Sequence, residues 1–192
     1  MIGKGKSISH GVAALEYDLA KEINGQAVAT EIARHELYGC TGAEMVQEMK
    51  PYHIDFPNVK NNCLRFEVSP SIEESATFTD ADWAELGNDF MQRMGLANHQ
   101  YIIIRHSGTE SKKEQAHLHI LANRVSLSGE LYRDNWIGKK ATEAANAIAK
   151  ERNFVQSQDI GKVNKAEIKE AMDGVLKKMQ GFDFTKFKEE LG

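Results

Sequence analysis

The sequence predicts a domain of the α/β class in its mixed α+β form: a central antiparallel sheet, helices on one face, and a small helical extension at the C-terminus. Three observations carry this expectation. "HQYIIIRH" and "HLHILANRV" are apolar, strand-like runs separated only by the polar loop "SGTESKKEQA". That loop holds nothing from which to build a crossover helix, so the two runs form an antiparallel hairpin. "NCLRFEVSP" alternates Leu64, Phe66 and Val68 with Arg65, Glu67 and Ser69, the pattern of a strand with one apolar and one polar face. From Gly138 onward the text is helical.

The remaining elements follow in order. "GVAALEYDLAKEI" reads as a helix with Val12, Leu15 and Leu19 on one side and Gly25 ending it. "TEIARHELYG" and "TGAEMVQEMKP" read as two short helices, the second stopping before Pro51. In "TDADWAELGNDFMQRMG", Thr79 or Asp80 is the N-cap, and Trp83, Leu86, Phe90 and Met94 recur at helical intervals, as in the main helix packed on a sheet. "SLSGELYRDNW", with Gly129 as a turn, adds another short strand. "KKATEAANAIAKERN", "KVNKAEIKEAMDGVLKKM" and "FTKFKEEL" are helices, the last two only lightly packed.

Composition narrows the function. With 192 residues, 41% hydrophobic and 27% charged, the chain suffices for one domain with its own core. No apolar run approaches the ~20 residues of a bilayer span, and "MIGKGKSISHGV" lacks the apolar stretch of a signal peptide, so a cytoplasmic protein is expected. Cys40 and Cys63 are too few for a disulfide scaffold or a four-cysteine zinc site. A net charge of -4 speaks against a module held to nucleic acid by overall charge. The positive charge is nonetheless clustered, with Lys4 and Lys6 among the N-terminal glycines and Lys112 and Lys113 beside the histidines.

The hairpin returns His106, at the end of its first strand, beside His117 and His119, at the start of its second. The H-x-H spacing points both of the latter to one face. Neutral imidazole is the commonest protein metal ligand, and three of them leave open coordination positions on a divalent ion. The alternative is a set of hydrogen-bonded or exposed sheet residues. Glu67 shares its strand's polar face with Arg65; it either serves this site or forms an ion pair on a solvated face. Asn123 falls on the face of His117 and His119 by parity, where it either orients a ligand or binds backbone.

"RH…HLHILANRV" resembles the third motif of the relaxases, the mobilization nucleases of plasmids and integrated mobile elements: a His, a short loop, then H-x-H, hydrophobics and an Asn. These belong to the wider HUH endonuclease group, in which U is a hydrophobic residue, here Leu118. "GKGKSISHGVAALEY" resembles their first motif, a basic, glycine-bearing start and a helix carrying the nucleophilic tyrosine. "NRVSLSGELY" and "AEIKEAMDGVLKKMQGFDFTKFKEELG" also resemble family text, closest to mobilization proteins of Bacteroides-like bacteria. One departure is Gly108, where the family often has an acidic residue two positions after the first His; another is a lysine-bearing, slightly long loop.

The resemblance implies an HUH-nuclease-like fold over residues 1–155, with 156–192 as the helical extension, and it allows that the chain is cut from a fuller protein. It implies nicking of one DNA strand at an origin of transfer, for mobilization by conjugation. Tyr17 would be the nucleophile, ahead of Tyr38; His106, His117 and His119 the metal ligands; and Glu67 a base for the phenol, whose pKa is ordinarily about 10. The ion implied is Mg²⁺ or Mn²⁺, although three imidazoles accept Zn²⁺, Ni²⁺ or Cu²⁺ more tightly. Lys4, Lys6, Arg105, Lys112, Lys113, Asn123 and Arg124 are the candidate DNA contacts, with Trp136 or Tyr132 to stack a base. Single-stranded origin DNA is the partner, accompanied by accessory mobilization proteins and a coupling protein. Replication initiators and transposases of the group place the tyrosine after the histidines, so chain order favours a relaxase. A three-histidine hydrolase of small substrates would not need Tyr17, and a plain interaction module would not need a metal.

Overall fold

The computed structural model describes residues 1–108, 115–179 and 181–191. In chain order the elements are β1 (Ile2–Ile8), α1 (Gly11–Leu19), β2 (Glu22–Ile23), β3 (Gln26–Ala27), β4 (Ala29–His35), α2 (Gly42–Met49), β5 (Cys63–Ser69), α3 (Ile72–Ser75), α4 (Asp80–Arg93), β6 (His99–His106), β7 (His117–Ser126), α5 (Ile137–Glu151), α6 (Ser157–Lys178) and α7 (Phe184–Leu191), with a 3₁₀ turn at Lys50–His53 after α2. Five strands form one antiparallel sheet in the order β1-β5-β7-β6-β4. The expected hairpin is its centre, with His106 opposite His117 and Ile104 opposite His119.

One face of the sheet carries the main core. Leu64, Phe66, Val68, Ile103, Leu118 and Ile120 meet Trp83, Leu86, Phe90 and Met91 of α4 and Ala141, Ala145 and Ile148 of α5. Thr79 caps α4 in a capping box with Asp82, which satisfies two of the free N–H groups at that end. Helices were expected on one face only, but both are covered. On the histidine face, Ala14 and Leu15 of α1 and Met45, Val46 and Met49 of α2 pack on Cys63, Ile102, Ile104 and Leu121. They occupy only part of that face, and the ends of β5, β6 and β7 that bear Glu67, His106, His117 and His119 lie beyond them.

Three local expectations are corrected. "TEIARHELYG" is not a helix but edge strand β4, paired with β6 from Ala29↔His106 to His35↔Tyr101 around a bulge between Glu31 and Ala33. Its residues are good helix formers, yet β6 offers an unpaired edge, and pairing outweighs propensity. The first helix ends at Leu19 rather than Gly25. Asn24 and Gly25, both at positive φ (53° and 74°), instead form the two-residue turn between β2 and β3. "SLSGELYRDNW" forms no further strand, only a bridge between Val125 and Leu131, with Gly129 turning the chain at φ 83°.

Candidate metal centre

Strand register assembles the site. His106 and His117 are direct partners, and His119 follows His117 on the same face. Ring centroids lie 4.5 Å (His106–His119), 4.9 Å (His117–His119) and 5.3 Å (His106–His117) apart. The ligand atoms all lie within 4.8 Å of one another, a spacing that one ion can bridge.

The hydrogen bonds around the rings suit a metal. His106 Nε2 stands 2.7 Å from the carbonyl oxygen of Asp18, and His117 Nδ1 stands 3.1 Å from that of Gln115. A carbonyl only accepts, so each of these nitrogens carries the proton, and the neutral rings keep a lone pair on Nδ1 of His106 and Nε2 of His117. Burial lowers the pKa of His106. It holds that of His119 down to about 2, helped by His106, His117, Arg65 and Lys4. Both rings are therefore neutral ligands at physiological pH. The donor set, imidazole nitrogens fixed by outer hydrogen bonds, fits a divalent cation.

Beside the histidines lies a cleft of about 190 Å³ lined by Lys4, Gly5, Lys6, Arg65, Phe66, Glu67 and His119. In register, Glu67 faces His119 on one side and Lys4 on the other, and it pairs with Lys4 Nζ at 2.8 Å. The cleft thus combines three cations, one carboxylate and an imidazole, a lining that suits a phosphodiester.

Comparison with known proteins bears directly on this arrangement. The family model described as relaxase, MobA/VirD2-like, nuclease domain matches residues 17–154. The chain belongs to the MobA/VirD2-like relaxase family. No curated protein sequence matches it. Two solved structures are similar, both of the conjugative relaxase TrwC in complex with oriT DNA. The metal-free one has a TM-score of 0.48 and 9% identity; the metal-bound one has 0.47 and 10%. Each match covers 99% of this chain and 89% of the other. A relaxase nuclease domain is a DNA-cleaving enzyme, and the three-histidine cluster is of a kind that could hold a metal ion.

The relaxase site collects some of the candidate residues and leaves others out. Tyr17 on α1 is 56% exposed, and its hydroxyl accepts from Lys21 Nζ at 2.6 Å. Asp18, the next residue, reaches the histidines directly. Tyr38 lies beyond His35, at the end of β4 opposite the one that meets His106. Lys4 and Lys6 line the cleft. Lys112 and Lys113 lie outside the described residues. Arg105 projects from the opposite face, where it pairs with Asp80 at 2.5 Å. Arg124 is held by the Tyr132 and Asn61 carbonyls and by Asp134 at 2.6 Å. Asn123 shares the histidine face, as parity predicts, but it is fully buried among His53, Met49, Gln100 and Val125. In this structure Arg105 and Arg124 are partly exposed and engaged in ion pairs, and Asn123 is engaged inside the fold. Tyr132 is half-buried under Lys140, while Trp136 is 81% exposed at the start of α5.

Two residues of the site escape the sequence reading. Asp18 is 1% exposed, and Arg65 donates to it twice, from Nε at 3.0 Å and from Nη2 at 2.5 Å. Gly11, Ala14, Leu15 and Asp18 form the buried face of α1; of the expected Val12, Leu15 and Leu19, Leu15 is fully buried and Leu19 packs partly buried on the same cluster, while Val12 is exposed. The spacing 11, 14, 15, 18 is a helical stripe, so a carboxylate at its end was the available signal.

Proposed function

We propose that this relaxase domain nicks one strand of DNA at an origin of transfer, with Tyr17 as nucleophile, and thereby starts mobilization of a plasmid or integrated element. One observation carries the reading: the carbonyl of Asp18 accepts from His106, so the residue next to Tyr17 is fastened to the histidine cluster beside a cationic cleft.

The phosphodiester would lie in the cleft, its charge met by Lys4, Lys6 and Arg65. His106, His117 and His119 would hold a divalent cation, which supplies neutralisation of the charge that builds on the non-bridging oxygens. Mg²⁺ or Mn²⁺ is the ion proposed in the cell, with Zn²⁺, Ni²⁺ or Cu²⁺ bound more tightly in vitro. The Tyr17 hydroxyl oxygen attacks phosphorus in line, and the P–O3′ bond breaks. The phenolic proton passes to Glu67, the 3′ oxygen leaves with the bonding electrons and takes a proton from water to become a hydroxyl, and the 5′ phosphate stays esterified to Tyr17. Because the ester retains the bond energy, the same site can reseal the strand. Lys21 donates to the Tyr17 hydroxyl and so orients the attacking oxygen.

On this reading residues 1–155 are the nuclease domain, and 156–192 are a helical extension with most of its described residues in solvent. The enzyme works in the cytoplasm on single-stranded DNA, with accessory mobilization proteins and a coupling protein as partners. Among the described residues no helix is long and apolar enough to cross a membrane.

The test is incubation with cognate single-stranded origin DNA and Mn²⁺, followed by a denaturing gel. A protein–DNA adduct is expected for the wild type, none for Tyr17→Phe, and none with chelator. An adduct that survives Tyr17→Phe would move the nucleophile elsewhere.

A further inference from the structure

The outer hydrogen bonds of the cluster are unequal. The backbone carbonyls of Asp18 and Gln115 fix the tautomers of His106 and His117. Among the described residues, His119 has no carbonyl of this kind. Its Nε2 lies 3.1 Å from Nε2 of His117, facing the cluster, while its Nδ1 faces Arg65 Nη2 at 3.4 Å and Asp18 Oδ1 at 4.0 Å. A guanidinium only donates, so without an ion His119 accepts from Arg65 at Nδ1 and donates from Nε2 to His117. To present a lone pair at Nε2 the ring must carry its proton at Nδ1. The acceptor on that side is Asp18, buried and held by two bonds from Arg65.

We infer that Asp18, through its ion pair with Arg65, is the positioning carboxylate of the histidine cluster: it takes the N–H of His119 at Nδ1, so that Nε2 faces the ion, and it offsets the guanidinium charge beside the ligands. The inference rests on the reading that the three histidines hold a divalent cation. Position 108 is glycine, and among the described residues the cluster contains no carboxylate, so this role is not filled from within it. Asp18 also belongs to the helix that carries Tyr17. One residue therefore sets a ligand's orientation through its side chain, sets another's tautomer through its backbone, and fixes the register of α1 against the sheet.

The pair has a signature that a purely structural ion pair lacks. Removing the carboxylate leaves an unbalanced cation 3.4 Å from Nδ1 of a ligand ring, which opposes metal binding. Removing the guanidinium leaves an anion there, which favours it. Free Mn²⁺ measured by electron paramagnetic resonance during titration of wild type, Asp18→Asn, Arg65→Gln and His119→Ala reads this directly. Asp18→Asn is expected to bind Mn²⁺ about 10-fold or more weakly, the usual range for loss of an outer partner. Arg65→Gln should bind as well as wild type or more tightly, and His119→Ala should lose binding. Unchanged affinity in Asp18→Asn overturns the inference, as does equal weakening in both variants. If wild type binds neither Mn²⁺ nor Zn²⁺, the reading of the histidines falls instead. Should a variant fail to fold, ¹⁵N spectra of the wild-type imidazoles decide: the His119 proton is expected on Nε2 without metal and on Nδ1 after Zn²⁺ is added. Zn²⁺ bound through Nδ1 would overturn the inference.

Discussion

Asn123 illustrates how a polar residue on the right face can have the wrong surroundings for a ligand. Its Oδ1 accepts from Val125 N at 3.0 Å and meets His53 Nε2 at 2.6 Å; its Nδ2 donates to Gln100 Oε1 at 2.9 Å and to Met49 O at 3.3 Å. Truncation leaves several of these partners unpaired in a dry interior. Asn123→Ala is expected to lower stability by about 3 kcal/mol in urea unfolding while adduct formation per folded molecule is unchanged. Parity placed Asn123 on the histidine face correctly. Which neighbours fill the far end of that face depends on α2 and the turn at Lys50–His53, a tertiary fact that alternation along one strand does not contain. The histidines were easier, because a hairpin needs only its loop and its register to bring His106 to His117 and His119.

Elements whose own pattern matched their final state were readable. Strands β5, β6 and β7 show apolar alternation or runs, and α4 carries both cap and stripe. By contrast, β4 has helix-forming residues and becomes a strand by pairing with β6. The first strand was hidden for another reason, since Gly3 and Gly5 lower strand propensity. Those glycines serve α5: a Cβ on Gly3 would stand 2.4 Å from the carbonyl oxygen of Ala141 and 2.6 Å from Ala145 Cβ. Backbone cannot yield cheaply there. Gly3→Ala is expected to cost at least about 2 kcal/mol, seen as a lower thermal midpoint. Lys4→Gln, on the exposed side of the same strand, should change stability by no more than about 0.5 kcal/mol.

At the scale of the whole molecule, buried histidines set the response to acid. Burial lowers the pKa of His99 and of His106, and holds His119 down to about 2. In the unfolded chain all three titrate near the ordinary value of about 6.5. Below that pH the unfolded state binds their protons first, so stability falls as pH drops from about 6.5, and these groups add no slope above it. In chelator, the urea midpoint should therefore fall between pH 7 and pH 5, and His99→Gln should reduce the fall. A midpoint unchanged over that range would contradict the burial of these rings as neutral bases.

The pleat of β1 ties two unrelated requirements to a single reading frame. Even-numbered lysines look into the cleft only because odd-numbered glycines look at α5, and the alternation admits no independent adjustment of either. Inserting or deleting one residue early in β1 would exchange them, driving ammonium groups against a helix backbone and leaving the cleft wall bare of charge. Length changes in this stretch are tolerable only in pairs, a constraint that mutational scanning by insertion would expose as a parity rule.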